Sequence, residues 1–408
     1  MFVKIDKMNM ITVESKPPRA IQFRSPQFNL MFSRYIKKFE HVYYPKLTYG
    51  SVSKTRVVAK GLNAVERAAI LIQKSEYFAS PKYLLFDHSA FDSSITVAHL
   101  KATHKKYNKV FNSRELAKLC SYQIDNRGMS RNGIEYRVRG TRMSGDADTA
   151  LGNTLVNLDC MYGFLKANNI SKYDMLVDGD DSIVIVEQGE KFNLGFFEQF
   201  GFKTKLEVTN CLERAEFCQS RVVLTDPPTF VRNPCRAISH ASIAVDMETN
   251  DIPGWLEAVA LCEISCNSGV PVLQTFAESL RTGYNPKFTP DMCHRMALET
   301  FRNAKPITDK ARASFSRAWG IDPQLQRELE DTCTSYRVLN CLQSENASEQ
   351  TRTRSRRVER SSQRRSSAWW CGCEERDQQS GELFVPACCD GQPIQHERDA
   401  PSLTPSNA

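Results

Sequence analysis

Two adjacent aspartates near the middle of the chain have the type and spacing of metal ligands. They close the tetrapeptide Asp178-Gly179-Asp180-Asp181, and an apolar run stands on each side of it. Two such runs joined at an Asp-Gly step predict a β-hairpin whose turn carries Asp180 and Asp181. Adjacent carboxylates on a rigid turn are oxygen ligands of the kind that Mg²⁺ prefers. Asp-Gly is also the commonest hairpin turn, and Gly-Asp-Asp arises by chance in roughly one chain in ten at this length, so further partners are needed elsewhere.

A second pair of acids follows another apolar segment. Residues 82–86 are predicted to form a buried strand that ends at Asp87, and Asp92 follows five residues later. Burying the Asp87 carboxylate without a partner would be costly, and a metal shared with the hairpin would provide one. Asp92 lies at the bend into a helix, where it could also serve as the N-cap.

Three cations near the start of the chain suit a triphosphate. Lys16, Arg19 and Arg24 occur in a stretch that its prolines keep extended, so their side chains could line a channel. The alternative is a solvated basic loop.

A helix predicted to begin near Ala147 carries a polar stripe. Thr149, Asn153 and Asn157 recur at four-residue steps and therefore share one face. Such a stripe either hydrogen-bonds polar groups inside the core, faces solvent, or hydrogen-bonds the hydroxyl groups of a ribose.

Six short motifs then occur in a recognisable order. They are Lys16-x2-Arg19-x-Ile21, Asp87-x4-Asp92, Ser144-Gly145-x3-Thr149-x3-Asn153, Gly179-Asp180-Asp181, Gly201-Phe202-Lys203-Thr204-Lys205 and Phe217-Cys218-Gln219-Ser220. The series resembles motifs F, A, B, C, D and E of the RNA-dependent RNA polymerases of positive-strand RNA viruses. The segment Arg24-Ser25-Pro26-x-Phe28-Asn29 resembles the corresponding sequence of their tombusvirus-like branch.

The resemblance implies a role for each motif in nucleotidyl transfer. Two Mg²⁺ or Mn²⁺ ions would be bound by Asp87, Asp180 and Asp181, the last in a supporting role. Lys205 would protonate the leaving pyrophosphate, with Lys203 as the alternative. The incoming nucleotide would be bound by the remaining motif residues, namely Lys16, Arg19, Arg24, Asp92, Ser144, Gly145, Thr149 and Asn153. Of these, Asp92, Ser144, Thr149 and Asn153 would recognise the sugar.

The fold implied by the resemblance is α+β, a right-hand polymerase with fingers, an antiparallel palm sheet and a helical thumb. We assign residues 1–80 to partial fingers, 81–235 to the palm with a fingers insertion at about 93–140, and 236–345 to the thumb. Most of 93–138 is expected to be helical. Because the chain starts almost at motif F, the rest of the fingers is expected to be missing or encoded elsewhere.

Composition agrees with a nucleic-acid partner without requiring one. The 408 residues carry a formal charge of +7, and 41% are hydrophobic, which is enough for a large core. The 14 cysteines are scattered through apolar segments, and neither a secretory signal nor a membrane-spanning run is visible, which indicates reduced thiols inside a cell. The resemblance implies an RNA template and product duplex, nucleoside triphosphates, and a site in the host cytoplasm on membranes, where a separate protein would provide attachment.

The last segment, 346–408, differs from the rest. Residues 351–365 contain seven arginines and one glutamate among polar residues, so we expect a disordered arm that binds nucleic acid. The cysteines at 371, 373, 388 and 389 have gaps that are unusual for structural zinc.

Two other functions compete with the polymerase interpretation. A reverse transcriptase shares the paired aspartates, but its family places an aromatic residue where Asp92 stands. A non-catalytic RNA-binding remnant would need only the basic surface, and an incorporation assay distinguishes it from both enzymes.

Overall fold

Helices and antiparallel strands both contribute to the structure, in agreement with the predicted α+β class. The computed structural model describes residues 1–4, 19–130, 132–241, 243, 251–299 and 301–335. Its strands are β1 (Phe2–Val3), β2 (Ala20–Ile21), β3 (Pro81–His88), β4 (Asp125–Met129), β5 (Glu135–Arg139), β6 (Tyr173–Asp178), β7 (Asp181–Glu187), β8 (Thr204–Thr209), β9 (Ser220–Val223) and β10 (Thr229–Arg232). Its α-helices are α1 (Pro26–Lys46), α2 (Ala64–Ser75), α3 (Phe91–Ser94), α4 (Val97–Phe111), α5 (Arg114–Ser121), α6 (Thr149–Ala167), α7 (Gly195–Phe200), α8 (Pro234–Ala241), α9 (Ile252–Cys266), α10 (Leu273–Ser279), α11 (Pro290–Glu299), α12 (Asp309–Trp319) and α13 (Pro323–Ser335).

Four antiparallel strands in the order β6-β7-β3-β8 form the main sheet. The predicted hairpin is β6 and β7, and its two-residue turn is Gly179-Asp180. Phe86 of β3 pairs with Ser182 of β7, and Asp87 pairs with Lys205 of β8. The outer edge of β6 is covered by a parallel bridge between Val58 and Val177, which protects that strand from pairing with another chain.

Each face of the sheet is buried in its own core, because successive side chains of a strand point to opposite faces and the hairpin strands carry apolar residues on both. Phe86 and Val184 point toward one core, to which α1, α4, α6 and α7 also contribute. Ile183 and Ile185 point toward the other core, which α2 and the strands β9 and β10 complete. The hairpin is therefore fixed from both sides.

The buried stripe of α2 differs from the prediction in part. Apolar residues at helical spacing between Asn63 and Tyr77 predict a helix whose buried stripe is Val65, Ala68, Ala69 and Ile72. In the structure Ala68 and Leu71 are buried, while Ala69 is exposed. Lys74 completes the buried stripe, which apolar periodicity cannot reveal because a lysine is expected to be exposed.

Lys74 is buried because a carboxylate of the sheet meets it. Its ammonium forms an ion pair with Asp174 of β6, and both side chains are 0% exposed. Asp174 also accepts hydrogen bonds from the Ser51 hydroxyl, at 2.8 Å, and from the Ser53 amide, at 3.0 Å. One turn from the other end of α2, Arg67 forms an ion pair with Asp178 at the end of the same strand. A buried charge is tolerated when it is paired and hydrogen-bonded in this way.

Two other elements differ from expectation. The helical spacing of Leu30, Arg34 and Lys38 predicts a helix at about Phe28–Phe39. This helix is α1, which runs on to Lys46 with Pro45 in its last turn. The segment 93–138 contains the predicted helices, but it also contains β4, which pairs with β5 as a separate ribbon. The polar sequence of β4 has no alternating pattern that would have predicted a strand.

The C-terminal part of the described chain is helical from α8 to α13, as predicted. As a thumb, this part would bind the RNA duplex through basic residues such as Arg281, Lys287 and Arg312. Two of them are paired within this part of the fold, Arg281 with Glu257 and Arg312 with Glu330. Lys287, the third, is exposed. In the described ranges every cysteine is a free thiol, and none of the helices is both long and apolar enough to cross a membrane. The run Met10-Ile11-Thr12-Val13 predicts a strand, but it lies outside the described residues. The arm and the cysteines beyond 335 also lie outside them.

Candidate active site

The turn of the β6–β7 hairpin places Asp180 on the surface. Gly179 adopts φ 66°, a left-handed conformation that favours glycine, and a Cβ there would meet no atom within 4 Å. Backbone conformation therefore explains the glycine. Asp178 and Asp181 pair opposite each other at the strand ends.

Helix α6 holds this turn from the opposite side of the sheet. The Gly179 amide donates a hydrogen bond to the Thr154 hydroxyl at 3.1 Å. The Asn157 amide donates to the carbonyls of Gly179 and Asp181, at 3.1 and 3.4 Å, and its oxygen lies 3.3 Å from Nε2 of His88. Of the alternatives for the polar stripe, hydrogen bonding inside the core is therefore the one that applies to Asn157. Thr154 and His88 were missed because support of a distant turn leaves no local sequence pattern.

Asp87 lies on β3, the strand that pairs with β7 of the hairpin. Because Phe86 pairs with Ser182, Asp87 and Asp181 project from the same face of neighbouring strands. Asp87 and Asp181 both remain accessible to solvent, although neighbouring groups crowd the Asp181 carboxylate. The site is thus built where the ends of three strands meet.

The carboxylates at this edge repel one another. Desolvation, followed by repulsion from Asp180 and Asp178, raises the pKa of Asp181 to about 6. A divalent cation would relieve that repulsion, and carboxylate oxygens are the donors that Mg²⁺ and Mn²⁺ prefer. Among the described residues no group of three or more His, Cys, Asp or Glu side chains is already gathered around one point. The donor chemistry therefore fits such a metal, although a ready-made ligand cluster is not present.

Asp92 and Asn153 meet beside these acids. The Asn153 amide donates a hydrogen bond to Asp92 Oδ1 at 2.7 Å. Burial and repulsion from Asp180 raise the pKa of Asp92, while the Asn153 hydrogen bond lowers it. The N-cap of α3 is Ala90, so the helix-cap alternative for Asp92 is wrong.

The loop before α6 packs against the chain near Gln22. The Gln22 amide donates to the Ser144 hydroxyl at 3.3 Å, and the Gly145 amide donates to the Gln22 carbonyl at 2.7 Å. A Cβ on Gly145 would lie 2.7 Å from that carbonyl, so close approach requires glycine there. The Thr149 hydroxyl lies 2.8 Å from the Met143 carbonyl, to which it donates within its own loop.

The predicted triphosphate cations differ in their surroundings. Arg24 forms an ion pair with Asp146, 2.9 Å from Oδ1, and stacks over Phe28. Arg19 is exposed, and Lys16 lies outside the described residues.

Both candidate proton donors lie on the surface near the carboxylates. Lys205 is directly opposite Asp87 in the register of β3 and β8. Lys203 precedes β8, and its carbonyl accepts a hydrogen bond from the Ser89 amide at 2.9 Å. Lys205 lies within β8, so the strand register places its side chain on the face of Asp87.

A tight turn contacts the hairpin from the other core. Cys218 and Gln219 have φ values of 51° and 57°, both left-handed, between the bridged residues Phe217 and Ser220. Arg67 donates to the Cys218 sulfur at 3.4 Å while pairing with Asp178. Arg67 was not predicted, since nothing in the sequence of α2 signals a distant carboxylate.

Comparison with known proteins gives concordant matches. A sequence model of the family described as viral RNA dependent RNA polymerase matches residues 1–340. The chain is 36% identical over 354 residues to an RNA-directed RNA polymerase of Groundnut rosette virus (strain MC1), covering 81% of this chain and 41% of that protein. It is 31% identical to those of Turnip crinkle virus, over 83% of this chain and 46% of that protein, and of Tobacco necrosis virus (strain A), over 81% and 48%. The chain therefore spans less than half the length of these curated relatives.

Proposed function

The chain belongs to the viral RNA-dependent RNA polymerase family, and on that premise we propose that it copies an RNA template. The reaction would transfer a nucleotide from a nucleoside triphosphate to a 3′-hydroxyl and release pyrophosphate. The observation that carries this proposal is the projection of Asp87 and Asp181 from one sheet face, next to the turn that presents Asp180.

We propose that Asp87, Asp180 and Asp181 bind two Mg²⁺ or Mn²⁺ ions. When bound, such ions would neutralise charge on the triphosphate and activate the attacking hydroxyl. The raised pKa of Asp181 supports this assignment, because crowded carboxylates gain from a shared cation. Thr154 and Asn157 would keep the turn in place during the reaction.

We propose that the ribose is recognised by Asp92 and Asn153, together with Ser144, Gly145 and Thr149. Their contact supports the assignment because it places a donor and an acceptor side by side. A site built to hydrogen-bond a hydroxyl discriminates against a substrate without it, since its buried polar groups then lose a partner.

Cations would bind the triphosphate and supply the final proton. Lys16, Arg19 and Arg24 are the proposed triphosphate ligands, with Arg24 also anchored to the loop through Asp146. Lys205 is the proposed donor to pyrophosphate, and Lys203 is the alternative. The register of Lys205 against Asp87 favours the former.

We retain the right-hand architecture as part of the proposal. The main sheet with α6 would be the palm, α1 and α2 would belong to the fingers, the ribbon β4–β5 to the fingers insertion, and α9–α13 to the thumb. The template and product duplex would be bound largely by phosphate and shape. We also propose replication at host cytoplasmic membranes, with attachment through a separate viral or host protein.

The test is nucleotide incorporation on an RNA template with Mg²⁺ or Mn²⁺, with products resolved by length. Asp180→Ala should abolish incorporation while RNA binding persists, because the basic surface is intact. Asp159→Ala is the matched control, since this acid lies on α6 in a half-exposed pair with Lys106. Near-normal synthesis by Asp180→Ala would contradict the metal assignment, and no synthesis by the wild type would leave only the RNA-binding remnant.

A further inference from the structure

We propose that Arg142 is a positioning residue for sugar selection, because its guanidinium fixes the orientation of the Asn153 amide and thereby of Asp92. This inference rests on the proposed sugar-reading role of Asp92 and Asn153. Arg142 is buried in the loop before α6 and is 3% exposed.

A chain of hydrogen bonds connects four side chains. Arg142 Nη1 donates to Asp148 at 2.8 Å, and Arg142 Nε donates to Asn153 Oδ1 at 3.3 Å. Asn153 Nδ2 then donates to Asp92 Oδ1 at 2.7 Å. The backbone adds a second link, because the Arg142 amide donates to the Asp92 carbonyl at 2.8 Å. Arg142 therefore contacts both proposed sugar readers.

The chemistry of the two ends decides which way the Asn153 amide points. A guanidinium only donates, and an ionised carboxylate only accepts. A flipped Asn153 would place its NH₂ group against Arg142 and its oxygen against Asp92, so that both hydrogen bonds would be lost. The observed orientation uses one N–H of Asn153 and one oxygen of Asp92. The other N–H and the other oxygen can then be offered to a ribose hydroxyl.

The surroundings hold the guanidinium in this place. Asp148 is 0% exposed and also accepts hydrogen bonds from Tyr107, at 3.1 Å, and from Gln123, at 2.8 Å. Gly152 leaves room on α6, where a Cβ would lie 2.1 Å from Nη2 of Arg142. Nη2 has no hydrogen-bond partner among the described residues, so only Asp148 and Asn153 orient the group.

The residue before Arg142 is strained. Thr141 has φ 60°, which is an outlier for a β-branched side chain. Strain of this kind persists where the surrounding structure over-determines a functional geometry. Here the strained residue immediately precedes Arg142, whose guanidinium contacts Asn153 in the interior.

The test compares the incorporation of ATP and dATP by wild type and Arg142→Lys. Lysine keeps the charge opposite Asp148, but a single ammonium lacks the planar fork that reaches both partners. We expect the preference for ATP to fall about three- to tenfold, mainly through a higher KM for ATP, while dATP is little affected. Gly152→Ala should act in the same direction by displacing the guanidinium, even if Arg142→Lys does not fold.

Two controls separate this role from a general loss of stability. Lys74→Met removes an ion pair that is equally buried but distant in the fold, so it should lower the melting temperature and leave the ATP preference unchanged. In an Asn153→Ala background, Arg142→Lys should cause no further loss of preference, because its effect passes through Asn153.

The outcomes distinguish this inference from the proposed function. If Asn153→Ala itself leaves the ATP preference unchanged, the proposed sugar reading is wrong and the role of Arg142 is overturned with it. If Asn153→Ala lowers the preference while folded Arg142→Lys and Gly152→Ala keep the wild-type value, only the role of Arg142 is overturned.

Discussion

At the scale of single residues, Asp92 offers the sharpest test of substrate choice. Its hydrogen bonds to a 2′-hydroxyl should contribute about 1–3 kcal/mol, or roughly five- to 150-fold. In Asp92→Ala, incorporation of ATP should fall strongly, incorporation of dATP should fall less, and their ratio should approach unity. Thr96→Ala is the control, because Thr96 is the true N-cap of the following helix and its loss should cost about 1 kcal/mol of stability without changing the ratio. An unchanged ratio in Asp92→Ala would remove the sugar-reading role.

The raised pKa of Asp181 predicts a dependence of stability on pH. Its value of about 6 in the fold exceeds the ordinary 3.8, so between these pH values the folded chain binds more protons than the unfolded chain. The stability contributed by protonated Asp181 is complete below pH 4 and is lost as the pH rises through 6. Without metal, the melting temperature of wild type should therefore fall relative to Asp181→Asn between pH 4 and 7.

Adding Mg²⁺ should reverse that difference at pH 7 and have little effect below pH 5, where protons compete for the same oxygens. Parallel melting curves for the two proteins across this range would contradict the crowding of carboxylates at the turn.

The residues of the proposed sugar site were predictable from the sequence motifs, whereas the residues that support the hairpin were not. The sequence placed Asp92 and Asn153 in one motif set, and the structure brings the two side chains into contact. Arg67 and Thr154 were missed, because each acts on a strand that is remote in sequence. Such partners follow only from the packing of elements.

At the scale of elements, α6 is the support of the hairpin turn. Asn157→Ala would leave the carbonyls of Gly179 and Asp181 without a buried donor, which should cost about 1–3 kcal/mol of stability. Incorporation should fall for ATP and dATP alike, since the turn and not the sugar site is loosened. Asn168→Ala removes a side chain that caps the other end of the same helix, and it should leave incorporation near normal. A changed ATP preference in Asn157→Ala would instead favour direct contact with ribose.

Elements with a strong apolar sequence pattern were predicted, whereas features that depend on a partner in another element were not. The apolar runs of the hairpin strands and the apolar helices of the C-terminal part follow from local pattern. Strand β4 has no such pattern and exists because β5 pairs with it. The buried stripe of α2 ends in a lysine whose partner lies on β6, and only tertiary structure reveals that pair.

At the scale of the whole molecule, the basic segment 351–365 predicts a contribution to RNA binding. Deleting residues 350–408 should lower RNA affinity and flatten its dependence on salt, because fewer phosphates are then neutralised and fewer counterions are released. Affinity measured from low to high salt for the full and shortened chains checks this. Equal slopes would show that the segment binds no RNA, and equal melting temperatures would show that the remaining fold is unaffected.

The order of the motifs was the strongest global signal in the sequence. It indicated the RNA-dependent RNA polymerases of positive-strand RNA viruses, while the segment Arg24-Ser25-Pro26-x-Phe28-Asn29 indicated their tombusvirus-like branch. The relatives found by comparison agree with both. The arrangement of the main sheet could not follow from motif order, because strand register is decided by side chains that are distant along the chain.

The two ion pairs between α2 and β6 disfavour misalignment of β6 during folding. Asp174 and Asp178 project from one face of the strand, and Lys74 and Arg67 meet them two helical turns apart in the antiparallel sense. A slip of β6 by two residues would keep its apolar side chains inward, so hydrophobic burial alone would scarcely penalise it. The same slip would set Leu176 against a cation and leave a buried carboxylate alone, which costs several kcal/mol. The two ion pairs therefore select a single alignment of β6, the strand that leads into the turn with Asp180, whereas apolar contacts alone would allow more than one.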